Sequence, residues 1–165
     1  MGAGILPVAK IKNKLYFLFA VEVSDNKWSD FGGKSEKNET TYNTAIREGY
    51  EETNGFFGSK SNLKLIVDNN FLYKIQKNNN SYTSYLFHIF YDKNLPFFFN
   101  NNSKFMNDNF KHLINKNGFF EKKMVSWFSI EEIKNKKHIF RHFYREIVDL
   151  ILDNEENIKN RIVKI

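Results

Sequence analysis

The chain has 165 residues, 41% of them hydrophobic and including 18 Phe and 8 Tyr, which is core enough for one domain and too short for two ordinary enzymatic ones. It contains no Cys, which excludes disulfides, thiolate zinc sites and a cysteine nucleophile. The net charge of +6, from 25 Lys and Arg against 19 Asp and Glu, suits a polyanionic partner, although the AT-rich codons of the abundant Asn, Lys, Phe and Ile are a compositional source of the same basicity.

In chain order, residues 3–11 (AGILPVAKI) and 15–23 (LYFLFAVEV) read as two strands joined by a turn around Asn13. Pro7 has no amide hydrogen, so the first strand is expected at a sheet edge or with a bulge, and the hairpin is the expected edge of a homodimer. Lys10, Lys12 and Lys14 break the apolar runs well short of the roughly 20 residues a membrane span needs, and nothing ahead of them reads as a signal peptide. Met1-Gly2 is followed by Leu6 where a myristoylation start favours Ser or Thr. A soluble, cytoplasmic chain without a membrane partner is the expectation.

Residues 24–39 (SDNKWSDFGGKSEKNE) are loop by composition. A helix is predicted over 40–53, capped by Thr40 or Thr41 and ended by Asn54 and Gly55, which both tolerate positive φ. Segments 63–75 and 82–91 read as strands on either side of a polar turn. The stretch 96–103 (PFFFNNNS) reads as an aromatic insertion loop, followed by an amphipathic helix carrying Phe105, Met106, Phe110, Leu113 and Ile114 on its apolar side. Residues 119–128 read as a strand, Ser129 and Glu132 as a capping box, and 138–153 as a last long helix with Ile139, Phe143, Ile147, Leu150 and Ile151 inward. This order predicts a single α/β (mixed α+β) domain with helices packed on a mixed sheet.

Chemistry concentrates in the helix at 40–53. At 100° per residue Glu52 lies about 40° to one side of Glu48 and Glu51 about 60° to the other, so the three carboxylates share an arc of roughly 100°. Such crowding repels, and a hard divalent cation reverses the sign of that cost. The competing reading is a solvated helix face, with Arg47 paired to Glu51 four residues on. The four histidines, His88, His112, His138 and His142, show no metal-ligand spacing that would favour zinc.

With Gly33 and Glu39 included, the segment resembles the Nudix box. Gly33 is followed after five residues by Glu39, then after seven by Arg47-Glu48, with Glu51-Glu52 and Gly55 completing the pattern over 23 residues. Two positions depart from it: Asn54 stands where glycine is usual, and Gly49 where an apolar packing residue is usual. The resemblance implies an α/β/α sandwich with a loop-helix-loop catalytic motif that hydrolyses a diphosphate linked to another group, with Mg2+ or Mn2+. It implies Glu48 and Glu52 as metal ligands, Glu51 as a ligand directly or through water, the Gly32 carbonyl as a further oxygen, and Gly33, Glu39 and Arg47 as support. Glu121 resembles the additional acidic residue of many members, a ligand or base, against the alternative of an exposed charge beside Lys122 and Lys123.

Lys34, Phe31, Trp28 and Trp127 are the candidate substrate contacts, with packing the commoner role for each aromatic. The expected partner is a phosphate-rich small molecule or capped RNA. The residues leave open a dinucleoside polyphosphate, a nucleoside triphosphate, a nucleotide sugar, a diphosphoinositol polyphosphate, or a module that binds nucleotide or RNA without turnover. Charge, aromatic content and the SDFGGK loop are somewhat similar to Nudix proteins of large DNA viruses, some of which decap messenger RNA; under that viral reading the compartment is the host cytoplasm.

Overall fold

A hairpin starts the chain: β1 (Gly2–Ile11) turns through Lys12 and Asn13, at φ 45° and 65°, into β2 (Lys14–Glu22). The computed structural model describes residues 1–114 and 118–162. The two strands pair only near their turn, from Val8↔Phe17 to Ile11↔Lys14. Beyond it the strands β3 (Trp28–Ser29) and β4 (Phe31–Lys34) intervene, β3 pairing with β2 and β4 with the start of β1. Two short strands therefore stand inside the segment 24–39 expected to be loop; they are too brief for a hydrophobic pattern to announce them.

Next comes α1 (Thr41–Glu52), followed by α2 (Lys60–Asn69) and β5 (Phe71–Gln76). The single strand expected over 63–75 is thus a helix and a strand. Ser59 caps α2 by accepting from the Asn62 amide, and Leu63 and Val67, four apart, are its buried residues. After β6 (Tyr82–His88), α3 (Leu95–Asn109) begins earlier than expected: Pro96 sits in its first turn, and the expected aromatic loop is helix. Its buried residues are Phe99 and Ser103, whereas Phe105, Phe110 and Leu113 of the expected apolar side are exposed. Then follow β7 (Lys122–Ser129) and α4 (Ile130–Asn135), opened by the Ser129–Glu132 capping box. The expected long last helix is broken into 3-10 turns at 137–139 and 142–144, α5 (Arg145–Asp153) and α6 (Glu155–Arg161).

The seven strands form one mixed sheet of order β3-β2-β1-β6-β5, with β4 on β1 and β7 on β2. β1 is parallel to β6 and therefore lies inside the sheet. Pro7 is accommodated by position: the Gly2 amide and Val8 carbonyl turn toward the β6 side, so odd-numbered residues face the other edge. There Pro7 falls in the gap between the β4 pairing, which ends at Ile5, and the β2 pairing, which begins at Val8. The hairpin, flanked by β6 and β7, is not the free edge expected for dimerisation.

Alternation sends Phe17 and Phe19 to one face, where they pack with Phe128, Phe140, Tyr144 and Ile147, and sends Leu18 and Ala20 to the other, with Ala45, Ile46, Leu63, Val67 and Phe99. Helices α1, α2 and α3 thus cover one face and α4, α5 and α6 the other, giving the α/β/α arrangement. Among the described residues no helix is long and apolar enough to cross a membrane.

Candidate active site

The site is built where β1 and β2 part. Thr40 caps α1 by accepting from the Asn43 amide, and the helix lies on β1 with Thr44, Ala45, Ile46, Gly49 and Glu52 buried. Gly49 has a steric reason: a Cβ there would fall 2.6 Å from Cγ1 of Ile5, which is fully buried. At the far end Asn54 adopts φ 52°, and its side-chain oxygen accepts from the Phe120 amide at 2.8 Å. The departure from glycine at position 54 thus ties the end of α1 to the segment that presents Glu121.

Arg47 organises the outer part. Its guanidinium forks onto Glu39, with Nε and Nη2 each 3.0 Å from a carboxylate oxygen. Nη2 also donates to the Lys34 carbonyl at 3.1 Å, and Nη1 to Glu48 at 2.9 Å and Glu51 at 3.2 Å. One planar cation therefore fixes the loop to two carboxylates of the helix. The fork holds the Glu39 carboxyl down at about 2. Gly33 lies against Glu48: a Cβ would be 2.6 Å from its carboxyl carbon.

The inner part is buried. Glu52, 2% exposed, accepts the Gly32 amide at 2.6 Å and stands 3.3 Å from the Lys122 ammonium. Gly32 pairs with Gly4, whose polar groups turn toward β6. Its own amide and carbonyl therefore point away from β1, leaving the carbonyl on the edge where Glu52 lies. Lys122 is fully buried and also donates to Glu22 and, at 3.1 Å, to Ser29 Oγ. Glu22 further accepts from Arg141 at 3.1 Å. Burial pushes the Glu52 carboxyl well above its ordinary value, against the pull of Lys122, with Glu22 and Glu48 adding to the rise. Burial likewise raises Glu48, opposed by Arg47, and raises Glu121, with Glu22 adding to it.

Glu22, Glu48, Glu51, Glu52 and Glu121 surround one cavity of about 630 Å³, with Lys34, Arg47 and Arg141 also on its wall. Glu22, Glu52 and Glu121 offer oxygens within 4.8 Å of one another. Hard oxygen donors at this density, without Cys or His among the described wall residues, fit Mg2+ or Mn2+ and do not favour zinc.

The structure therefore brings Gly32, Gly33, Lys34, Arg47, Glu48, Glu51, Glu52 and Glu121 together around the cavity, with Glu39 behind Arg47. It puts the aromatic candidates elsewhere. Phe31 is buried core under α1, Trp28 packs edge-on to Phe128 at 4.8 Å, and Trp127 packs near Tyr91 and donates to the Asp92 carbonyl at 2.9 Å. These side chains serve packing because apolar neighbours surround them on the sheet. Glu22, Lys122 and Arg141 were missed. The available signal is Glu22 itself, one carboxylate inside the apolar run FLFAVEV; Lys122, in the polar run Glu121-Lys122-Lys123, carries none and is buried.

No protein-family model matches the chain, and no curated protein does. Solved structures do match in fold. An Ap4A hydrolase from C. elegans, solved as a binary complex, superposes with a TM-score of 0.57 at 17% identity over 94% of this chain and 96% of its own. RenU, a Nudix hydrolase from M. smegmatis, gives 0.52 at 9% identity, covering 96% and 87%. A bifunctional NMN adenylyltransferase/ADP-ribose pyrophosphatase from Francisella tularensis, solved with AMP and a manganese ion, gives 0.51 at 16% identity, covering 92% of this chain and 41% of that one. The chain has the fold of the Nudix hydrolases.

Proposed function

We propose that this chain, with its Nudix hydrolase fold, is a divalent-metal-dependent hydrolase of the diphosphate linkage in a nucleoside diphosphate derivative. The observation that carries the reading is the convergence of six carboxylates, Glu22, Glu36, Glu48, Glu51, Glu52 and Glu121, on one cavity, with Glu52 fixed by the Gly32 amide and Glu48 and Glu51 held by Arg47. A plain solvated helix face would need neither the buried glutamate nor the arginine clamp.

Glu48, Glu51, Glu52, Glu121 and the Gly32 carbonyl are the groups that would hold Mg2+ or Mn2+. When bound, the metal neutralises phosphate oxygens and lowers the pKa of the attacking water. The remaining work belongs to the chain. Arg47 keeps the box loop and α1 in one geometry, so the carboxylates do not reorganise during reaction. Lys34 on the cavity wall meets the negative charge of the diphosphate. Glu121, half-buried and with no ion pair or side-chain hydrogen bond among the described residues, would take a proton from water where it is not spent on the metal.

The substrate is tested with a panel in which dinucleoside polyphosphates, ADP-ribose, nucleoside triphosphates, nucleotide sugars, capped RNA and diphosphoinositol polyphosphates are each incubated with the protein and Mg2+ or Mn2+. Products are read by chromatography and phosphorus NMR, with 18O-labelled water marking the phosphorus attacked. Turnover of a nucleotide member that vanishes with EDTA is expected. Nucleotide binding without turnover of any member under either metal overturns the hydrolase and leaves a binding module.

A further inference from the structure

We infer that Lys122 is a resident cation of the carboxylate cluster, a positioning residue that holds Glu22 and Glu52 and occupies the inner coordination space, confining divalent metal to the outer side of the cavity. The inference rests on the divalent-metal reading of the cavity and assigns a role outside the box residues.

The geometry is that of a filled position. The Lys122 ammonium donates to Glu22 Oε1 and, at 3.1 Å, to Ser29 Oγ, and it is ion-paired with Glu52 Oε1 at 3.3 Å, so three oxygens surround a group with three N–H bonds. Glu22 and Glu52 are two of the three carboxylates whose oxygens lie within 4.8 Å of one another, so the lysine stands where a cation would otherwise be drawn. The ammonium cannot withdraw to water, because the whole residue is buried.

Its chain position is fixed as well. Lys122 opposes Glu22 across the β2–β7 ladder, where the register shifts between Val21 and Glu22. Its carbonyl accepts from Ser103 of α3, and the Glu121 carbonyl beside it accepts from the Val23 amide. The irregularity lets Glu22 and Lys122 meet inside the wedge. The outer carboxylates differ: Glu48 and Glu51 are held from the loop side by Arg47, and the Glu121 carboxylate has no ion pair or hydrogen bond among the described residues. Those three, with the free lone pairs of Glu52 and the Gly32 carbonyl, are the oxygens left for metal.

Two measurements test this without substrate. In the wild-type protein, the lysine ammonium NMR spectrum should show one slowly exchanging signal, assigned by its absence from K122M, that persists at saturating Mg2+. Displacement of that signal by Mg2+ overturns the inference, whereas no uptake of Mg2+ at all defeats the metal reading instead. In K122M, the melting temperature in EDTA should fall by about 5–15 °C. Added Mn2+ should restore it, and calorimetry should count one more bound Mn2+ than in wild type or at least about tenfold tighter uptake. Unchanged stoichiometry and affinity with no rescue by Mn2+ overturns it. Where K122M does not fold in EDTA, recovery of soluble protein by refolding with Mn2+ supports the inference, and K122R, which keeps a cation, should retain the wild-type metal count.

Discussion

The two halves of the cavity carry similar charges by different means. The outer half is local: Arg47 and Glu39 are 8 residues apart, and Arg47 and Glu51 are 4 apart on one helix. The inner half exists only once the sheet has formed, since Lys122 and Glu22 are 100 residues apart and Arg141 and Glu22 are 119 apart. The outer charges are partly open to water and are held by a planar fork; of the inner ones Glu22, Glu52 and Lys122 are buried, where an unpartnered charge is costly, and Arg141 reaches Glu22 from the more open rim. A local clamp sets the shape of the ligand set, and a non-local ion pair sets its depth.

Glu52 belongs to both halves, and its change should have the largest effect. Glu52→Gln keeps an acceptor for the Gly32 amide and deletes the charge facing Lys122. Turnover should fall by more than about a hundredfold, or about 3 kcal/mol. The melting temperature should stay within about 3 °C, because the lost ion pair is offset by relief of burying a carboxylate among Glu22 and Glu48. Parallel loss of activity and thermal stability would instead make Glu52 a scaffold residue and erase the distinction between the halves.

The same division governs what was legible in the sequence. Glu48, Glu51 and Glu52 share an arc by helix geometry alone, and Thr40, Asn54 and Gly55 mark the helix ends through local backbone chemistry. The hairpin and the Ser129–Glu132 box are also short-range features. The segment 63–75 is ambiguous because its apolar run suits strand and helix alike, and the cap at Ser59 lies outside that run. Phe97, Phe98 and Phe99 look equivalent in a row, but only Phe99 turns toward the sheet. The partnership of Lys122 with Glu22 has no local trace, since it depends on which strand β7 pairs with.

The buried side of the wedge predicts a pH effect. Asp30 is fully buried and accepts from Tyr82 at 2.6 Å and from Ser84, and burial raises its carboxyl to about 6 against those hydrogen bonds and the Lys122 charge. Unfolded, it ionises near 3.8, so between these values the folded chain retains a proton that the unfolded chain has released. Its contribution to stability is complete below 3.8 and is lost as the pH rises through 6, a change of about 3 kcal/mol. Asp30→Asn should remove that part of the slope in denaturant melts from pH 4 to 7. Glu48, Glu52 and Glu121 are raised in the same direction and leave a residual slope in metal-free buffer. An unchanged total slope in Asp30→Asn would exclude this group from the inner electrostatics.

The outer half rests on helix placement as much as on charge. Gly49→Ala gains about 1 kcal/mol of helix propensity, but the new Cβ meets Ile5, which is packed on all sides. The overpacking should win, with a net loss of about 1–3 kcal/mol by urea melt. Ile5→Val in the same background should return part of it by shortening the opposing side chain. A stabilised Gly49→Ala would mean that the distance from α1 to β1 adjusts freely and that glycine is not what seats the carboxylate helix.

Arg47→Lys separates charge from geometry in that half. Lysine keeps one positive charge but cannot fork onto Glu39 while also reaching the Lys34 carbonyl, Glu48 and Glu51. The inner pair of Lys122 with Glu22 and Glu52 is untouched by the substitution. Turnover should fall about tenfold, or about 1.4 kcal/mol, with weaker metal uptake and faster amide exchange in the loop 34–39, while the slow ammonium signal of Lys122 stays in place. If turnover fell as far as in Glu52→Gln, the fork would be holding the inner carboxylate as well, and the halves would be one cooperative unit. If turnover did not change, charge alone would hold the outer half, and the planarity of arginine would be incidental to the site.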